Sequence, residues 1–158
     1  MDNSTNIRYI LTRLETLCPS GFAIAFHIRY ARPDFLFQTY SKTWIDIYSQ
    51  SGMVMHDPIV RWGFENTGTK RWSELDDPMG ILEQSKPHGL VYGFACAVEN
   101  GGSRSVAGCA RADREFTDAE IAAIAADVQI LHDETARQGL SEEAREELRL
   151  MSVRFTHP

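Results

Sequence analysis

Across residues 6–17, Ile7, Ile10, Leu11 and Leu14 fall at spacings of three and four, which predicts an amphipathic helix closed by Cys18-Pro19-Ser20-Gly21. The period then changes to two. Over residues 22–30 the bulky Phe22, Ile24, Phe26, Ile28 and Tyr30 alternate with Ala23, Ala25, His27 and Arg29, predicting a strand with one bulky face and one hollow face. Residues 31–34 read as a turn and 35–39 as a second strand that completes a hairpin. Ser41 is placed to cap a helix through Tyr48 to about Ser51, with Gly52 as its stop. Asp57-Pro58 reads as the cap and first residue of another helix, carrying Ile59, Val60, Trp62, Gly63 and Phe64. Residues 66–71 form a polar loop in this reading, and Asp77-Pro78 opens a short helix through Met79, Ile81 and Leu82 to about Ser85.

The run LVYGFACAV, residues 90–98, is apolar on both faces, as expected of a central strand covered from both sides. Asn100-Gly101-Gly102-Ser103 is a turn signal, and residues 105–112 return as the partner strand. Taking Gly102 and Ser103 as the two loop residues sets Cys96 directly opposite Cys109. Thr117 caps a long helix with an apolar stripe at Ile121, Ile124, Ala125, Val128 and Leu131, closed by Gly139. Leu140, Ala144, Leu148 and Met151 can share a face of one further short helix. The linker-like break at Gln138-Gly139 separates residues 1–138 from 139–158.

Composition narrows the function classes. At 158 residues, with 43% hydrophobic and 24% charged residues, the chain suits one soluble globular domain. No run approaches the roughly 20 apolar residues of a membrane span, and MDNSTNIRYI has no basic-then-apolar signal pattern, so the expectation is a cytoplasmic protein with no membrane partner. A formal charge of −6 argues against DNA binding by this chain alone. Cys18, Cys96 and Cys109 form no CxxC pair or metal-ligand spacing, which predicts reduced, packed thiols and no structural metal. There is no GxSxG, HExxH, P-loop or dinucleotide-type glycine pattern, and the five histidines are scattered over different elements, so no enzymatic site is expected.

The remaining chemistry lies between Tyr40 and Pro58. Tyr40, Trp44 and Tyr48 recur every four residues, and Asp57 follows thirteen residues after Trp44. An indole N–H only donates, a phenol donates readily and an ionised carboxylate only accepts. An amide-containing ligand with additional carbonyls needs that set. Core packing with a helix cap accounts for the same residues, and spacing alone leaves both readings open.

Trp44, Tyr48, Asp57-Pro58 and Trp72, with Tyr40 one helical turn ahead, stand in the order and spacing of the autoinducer-binding domain of LuxR-type quorum-sensing regulators, which the chain resembles. GLVYGFACAV resembles that family's glycine-containing strand, and the long helix from Thr117 matches in position, so the likeness covers nearly all of residues 1–138. The fold expected is α+β, an α-β-α sandwich with a central antiparallel sheet of about five strands and helices on both faces. The resemblance implies an N-acyl homoserine lactone as ligand and no cofactor. Trp44 would donate to the lactone carbonyl, Tyr40 to the acyl-amide carbonyl, and Asp57 would accept the amide N–H. Tyr48 and Trp72 would wall the cavity, and Ala23 and Ala25 with Gly93, Ala95 and Ala97 would leave room for the acyl chain; close helix packing explains those small residues equally well.

Two positions depart from the family pattern. Ala97 stands where many members carry proline, and Gly108 where others place a Ser or Thr that contacts the ligand. The tail, residues 140–152, resembles the opening helix of the family's helix-turn-helix domain, and equally reads as a plain covering helix. The function expected is a sensor domain that controls quorum-sensing transcription in a full-length context, as a homodimer or a heterodimer with a related regulator. Inhibition of a full-length relative by heterodimerisation is the alternative, and a lactone-degrading enzyme is a further one.

Overall fold

A computed structural model describes residues 4–30, 32–136 and 140–155. The predicted turn residue Ala31 and the break at Gln138-Gly139 lie outside the described residues. The elements are α1 (Ser4–Leu17), β1 (Gly21–Phe26), β2 (Phe35–Gln38), α2 (Lys42–Gln50), α3 (Pro58–Glu65), β3 (Gly68–Arg71), α4 (Ile81–Ser85), β4 (Tyr92–Asn100), β5 (Ser103–Arg111), α5 (Asp118–Glu134) and α6 (Glu142–Phe155). The five strands form one antiparallel sheet in the order β2-β1-β5-β4-β3. This is the expected α+β architecture.

Side-chain size divides the two faces of the sheet. Phe22, Ile24 and Phe26 of β1, Phe35 and Phe37 of β2, and Phe94, Cys96 and Val98 of β4 build the main core with the apolar stripes of α1 and α5. Phe94 meets Phe116 edge-on at 5.0 Å between ring centres. Leu148 and Met151 of α6 join this core, so the C-terminal helix is docked on the domain. The opposite face carries Ala23, Ala25, Gly108 and Ala110, and α2, α3 and α4 form the layer above it.

Four local expectations are corrected. Strand β1 ends at Phe26, because His27 takes a left-handed backbone (φ 54) and turns the alternation over. Ile28 therefore lies on the hollow side of the sheet, and Tyr30 is fully exposed. The stretch read as a polar loop contains β3, which pairs with β4 from Gly68↔Ala97 to Arg71↔Phe94; as an edge strand it needs the backbone ladder and no buried side. The helix expected from Pro78 begins at Ile81, with the Asp77 carboxylate accepting from the amides of Ile81 and Leu82, both at 2.9 Å. The β4–β5 loop is Gly101-Gly102, both at positive φ, with Asn100 opposite Ser103. That one-residue shift sets Cys96 opposite Ala107 and Cys109 opposite Phe94, so the two cysteines do not face each other. All three thiols are free and buried, and burial pushes Cys96 up to about 12.

A buried polar cluster ties the end of β1 to the end of α5. The His27 ring, 4% exposed, and the His132 ring, 1% exposed, stack at 4.4 Å between ring centres. His27 Nε2–H donates to the His132 carbonyl at 2.9 Å, and Nδ1 accepts from the Ser103 hydroxyl at 2.8 Å. His132 Nδ1 accepts from Ser105 Oγ at 2.6 Å, and Nε2–H donates to the Asn100 carbonyl at 3.2 Å. Each ring thus has a hydrogen-bond partner at both of its nitrogens. Burial lowers the His27 pKa, aided by repulsion from His132 and Arg29 and opposed by the His132 carbonyl and Asp34.

A histidine whose folded pKa is depressed binds fewer protons folded than unfolded, so stability falls as pH drops below the unfolded value of about 6.5. Thermal melts should therefore show a lower midpoint at pH 5.5 than at pH 7.5. His27→Gln should cost about 1–3 kcal/mol at neutral pH and flatten that dependence, as read by melts across the same range.

Candidate functional site

The sheet's small-residue face leaves a cavity of about 300 Å³ beneath α2, α3 and α4, near the lower end of the range for small-molecule sites. Ala23, Ala25, Leu36, Gln38, Val106 and Gly108 form its floor, and Trp44, Ile45, Tyr48, Asp57, Ile59 and Val60 line it from α2 and α3. Val54 and Phe64 also line it while standing 51% and 47% exposed, so the cavity opens to solvent beside them.

Local chemistry fixes the roof. Ser41 caps α2, its Oγ accepting from the Trp44 amide at 3.3 Å. Asp57 caps α3, its Oδ1 accepting from the Ile59 amide at 2.8 Å with Pro58 at the first helical position. The other oxygen of the same carboxylate accepts from the Tyr48 hydroxyl at 2.7 Å, which joins the two helices. Gly63 brings α3 onto the sheet, since a Cβ there would stand 2.5 Å from Val106 Cγ1.

Burial raises the Asp57 pKa, opposed by hydrogen bonds from the Tyr48 hydroxyl and the Ile59 and Val60 amides, while Asp77 adds a further upward push. An ionised carboxylate has about four acceptor positions, of which the Tyr48 hydroxyl and the Ile59 and Val60 amides take three. Burial holds the Tyr40 phenol well above its usual value, so it remains a donor. Among the described residues, neither the Tyr40 hydroxyl nor the Trp44 indole N–H has a protein hydrogen-bond partner. The Tyr40 and Trp44 donors and the Asp57 acceptor thus border a single apolar cavity.

All seven residues expected at the site, Tyr40, Trp44, Tyr48, Asp57, Trp72, Ala25 and Gly108, line this cavity. Tyr48 is more than a wall, because its hydroxyl holds Asp57. Of the small residues, Ala23 and Ala25 border the cavity and Gly93, Ala95 and Ala97 do not. At Gly93 the reason is close packing: a Cβ there would stand 2.4 Å from Trp72 Cδ2 and 2.5 Å from the Cys109 carbonyl oxygen. Arg71 pins the chain just before Trp72 by donating to the Phe116 carbonyl at 2.8 Å and to Asp118 at 2.7 Å. Among the described residues, the buried Trp72 indole N–H has no hydrogen-bond partner. Sequence reasoning missed Ile28, Pro33, Gln38 and Val106, which reach the cavity through the turn at His27 and the pairing across β2, β1 and β5. Among the described residues there is no group of three or more His, Cys, Asp or Glu placed to hold a metal ion.

Residues 21–138 match the family described as the autoinducer binding domain. A search of curated protein sequences finds no relative. Solved structures with the same fold include CepR2 from Burkholderia cenocepacia, an N-acylhomoserine lactone dependent LuxR family transcription factor, at 16% identity and a TM-score of 0.57 over 86% of this chain and 93% of that one. SdiA in complex with octanoyl-rac-glycerol aligns at 14% identity and a TM-score of 0.61, over 89% of this chain but 64% of SdiA. The ligand-binding domain of VqsR from Pseudomonas aeruginosa aligns at 12% identity and a TM-score of 0.54, over 93% of this chain and 89% of that one.

The contact at Gly93 carries a direct test. Gly93→Ala should destabilise the domain by about 1–3 kcal/mol in urea unfolding, because the added methyl meets both an indole and a backbone oxygen. Tryptophan emission should shift as Trp72 is displaced.

Proposed function

The chain belongs to the autoinducer-binding domain family of LuxR-type regulators, and on that premise we propose that it is a sensor domain binding an N-acyl homoserine lactone under α2 and α3. The observation that carries this reading is the pairing of two unpartnered donors, Tyr40 and Trp44, with the Asp57 acceptor in one apolar cavity. The Trp44 indole donates to the lactone carbonyl, the Tyr40 hydroxyl donates to the acyl-amide carbonyl, and Asp57 accepts the amide N–H. Trp72 packs on the lactone ring, and the alkyl chain lies over Ala23, Ala25 and Gly108 toward the opening at Val54 and Phe64.

A neutral hydrogen bond contributes about 1 kcal/mol and one to a charged group about 1.5–3, so the acceptor discriminates more strongly than either donor. A ligand without an N–H would leave a buried carboxylate position unmet. SdiA's octanoyl-rac-glycerol complex supports testing a glycerol ester beside the lactone: its carbonyl suits Tyr40, and its hydroxyl must serve Asp57. In a full-length context the domain would control quorum-sensing transcription from the cytoplasm; among the described residues no helix is long and apolar enough to cross a membrane. Association with a second copy or a related regulator would use the outer face of α5, where Ile130 is 41% exposed.

Titration calorimetry with octanoyl-homoserine lactone should give saturable binding. Trp44→Phe should weaken it about fivefold and Asp57→Asn tenfold or more, with circular dichroism spectra unchanged. Unchanged affinity in both variants would remove the hydrogen-bonding cage. Ligand recovered intact after prolonged incubation, by mass spectrometry, separates a receptor from a lactone-degrading enzyme.

A further inference from the structure

The floor of the cavity is apolar except at one position. Of the strand residues that line it, Ala23, Ala25, Leu36, Val106, Ala107 and Gly108 carry no polar side-chain atom, and Gln38 carries a primary amide. That amide offers two donor hydrogens and a carbonyl acceptor, and among the described residues no group hydrogen-bonds to it. A half-buried glutamine on an edge strand could serve only as a solvated rim. Its register says more.

Gln38 pairs with Ala23, Ala23 with Gly108, and Gly108 with Ala95, so these residues form one row across β2, β1, β5 and β4. Strands lie about 4.8 Å apart, which puts the Gln38 and Gly108 backbones roughly 10 Å from each other with only the Ala23 methyl between them. At the far end of that row the Tyr40 hydroxyl stands 3.0 Å from where a Gly108 Cβ would be. The row thus runs from a free phenol donor at Gly108, over a methyl-sized gap, to a free amide at Gln38. It contains no other polar side chain on that face between them.

We propose that Gln38 determines specificity for the acyl chain, its amide hydrogen-bonding an oxygen on the third carbon of that chain. This rests on the lactone reading of the cavity. With the acyl-amide carbonyl at Tyr40, the third carbon lies two bonds further along, over Ala23, and an oxygen there faces the Gln38 amide. An oxo group accepts from the amide N–H, and a hydroxyl can also donate to the amide carbonyl. Gly108 has no side chain, so nothing from β5 at this row competes for that oxygen.

The test is calorimetry of the wild-type chain, Gln38→Leu and Gln38→Glu with octanoyl-, 3-oxo-octanoyl- and 3-hydroxyoctanoyl-homoserine lactone. The wild type should prefer both oxygenated chains over the plain one by roughly fivefold, the worth of one neutral hydrogen bond. Gln38→Leu should lose that preference and bind the three ligands with similar affinities. Gln38→Glu, whose ionised carboxylate cannot donate, should reject the oxo ligand and keep the hydroxy ligand. An identical preference in the wild type and Gln38→Leu, or none in the wild type, overturns the role of Gln38 and leaves the lactone reading standing. A wild type that binds none of the three overturns both.

Discussion

The single carboxylate of Asp57 holds together the two helices that stand over the cavity. One oxygen stops the free amides at the start of α3, and the other takes the Tyr48 hydroxyl of α2, so two helices that meet the sheet separately share one anchor. Its ionised form is held against its environment. A carboxylate whose folded pKa is raised contributes stability below the unfolded value of about 3.9 and loses it as pH rises through the folded value. Burial works against the charge on Asp57, and the Tyr48 hydroxyl and two backbone amides partly offset it. A position that served only as a helix cap would do as well with the neutral side chain of serine or asparagine.

The sheet separates two jobs by side-chain volume. Phenylalanines and branched residues on one face interlock with α1, α5 and α6 and supply most of the apolar burial. The other face gives up that volume at Ala23, Ala25 and Gly108, and the roof helices stand over the space. Where the small residues continue onto β4 they do something different, letting the Trp72 indole lie against the backbone at Gly93. Among the described residues the Trp72 N–H has no partner, and leaving a buried donor so costs about 1–3 kcal/mol, which the close placement of the ring has to outweigh.

Much of this was legible in the chain. The alternation of Phe22, Ile24 and Phe26 with Ala23 and Ala25 is a strand pattern whose consequence, one packed face and one hollow face, needs no tertiary information. The caps at Ser41, Asp57 and Thr117 are local hydrogen bonds with local signatures. What escaped depended on non-local pairing or on a single dihedral. Strand β3 has no apolar alternation because its neighbour supplies only a ladder. The β4–β5 register turned on which two of four turn residues take positive φ, and one position decided what stands opposite each cysteine. The left-handed His27 sent Ile28 to the cavity side, which no periodicity could reveal. The hydrogen bond from Tyr48 to Asp57 spans nine residues and two helices, a distance at which spacing is silent.

Strand β2 is only four residues long, yet three parts of the molecule meet on it. Leu36 and Gln38 border the cavity, Phe35 and Phe37 are set in the main core, and the Leu36 carbonyl accepts the hydroxyl of Ser152 from α6. Arg8 of α1 and Glu147 of α6 add an ion pair at 2.9 Å that steadies the same helix. Mechanically, the strand is a beam loaded from both sides. The residue whose side chain borders the cavity is the same one whose carbonyl takes the Ser152 hydroxyl, so at Leu36 the cavity and α6 are joined without passing through the phenylalanine core. An edge strand, rather than the centre of the sheet, is where the cavity, the main core and the C-terminal helix share a single run of four residues.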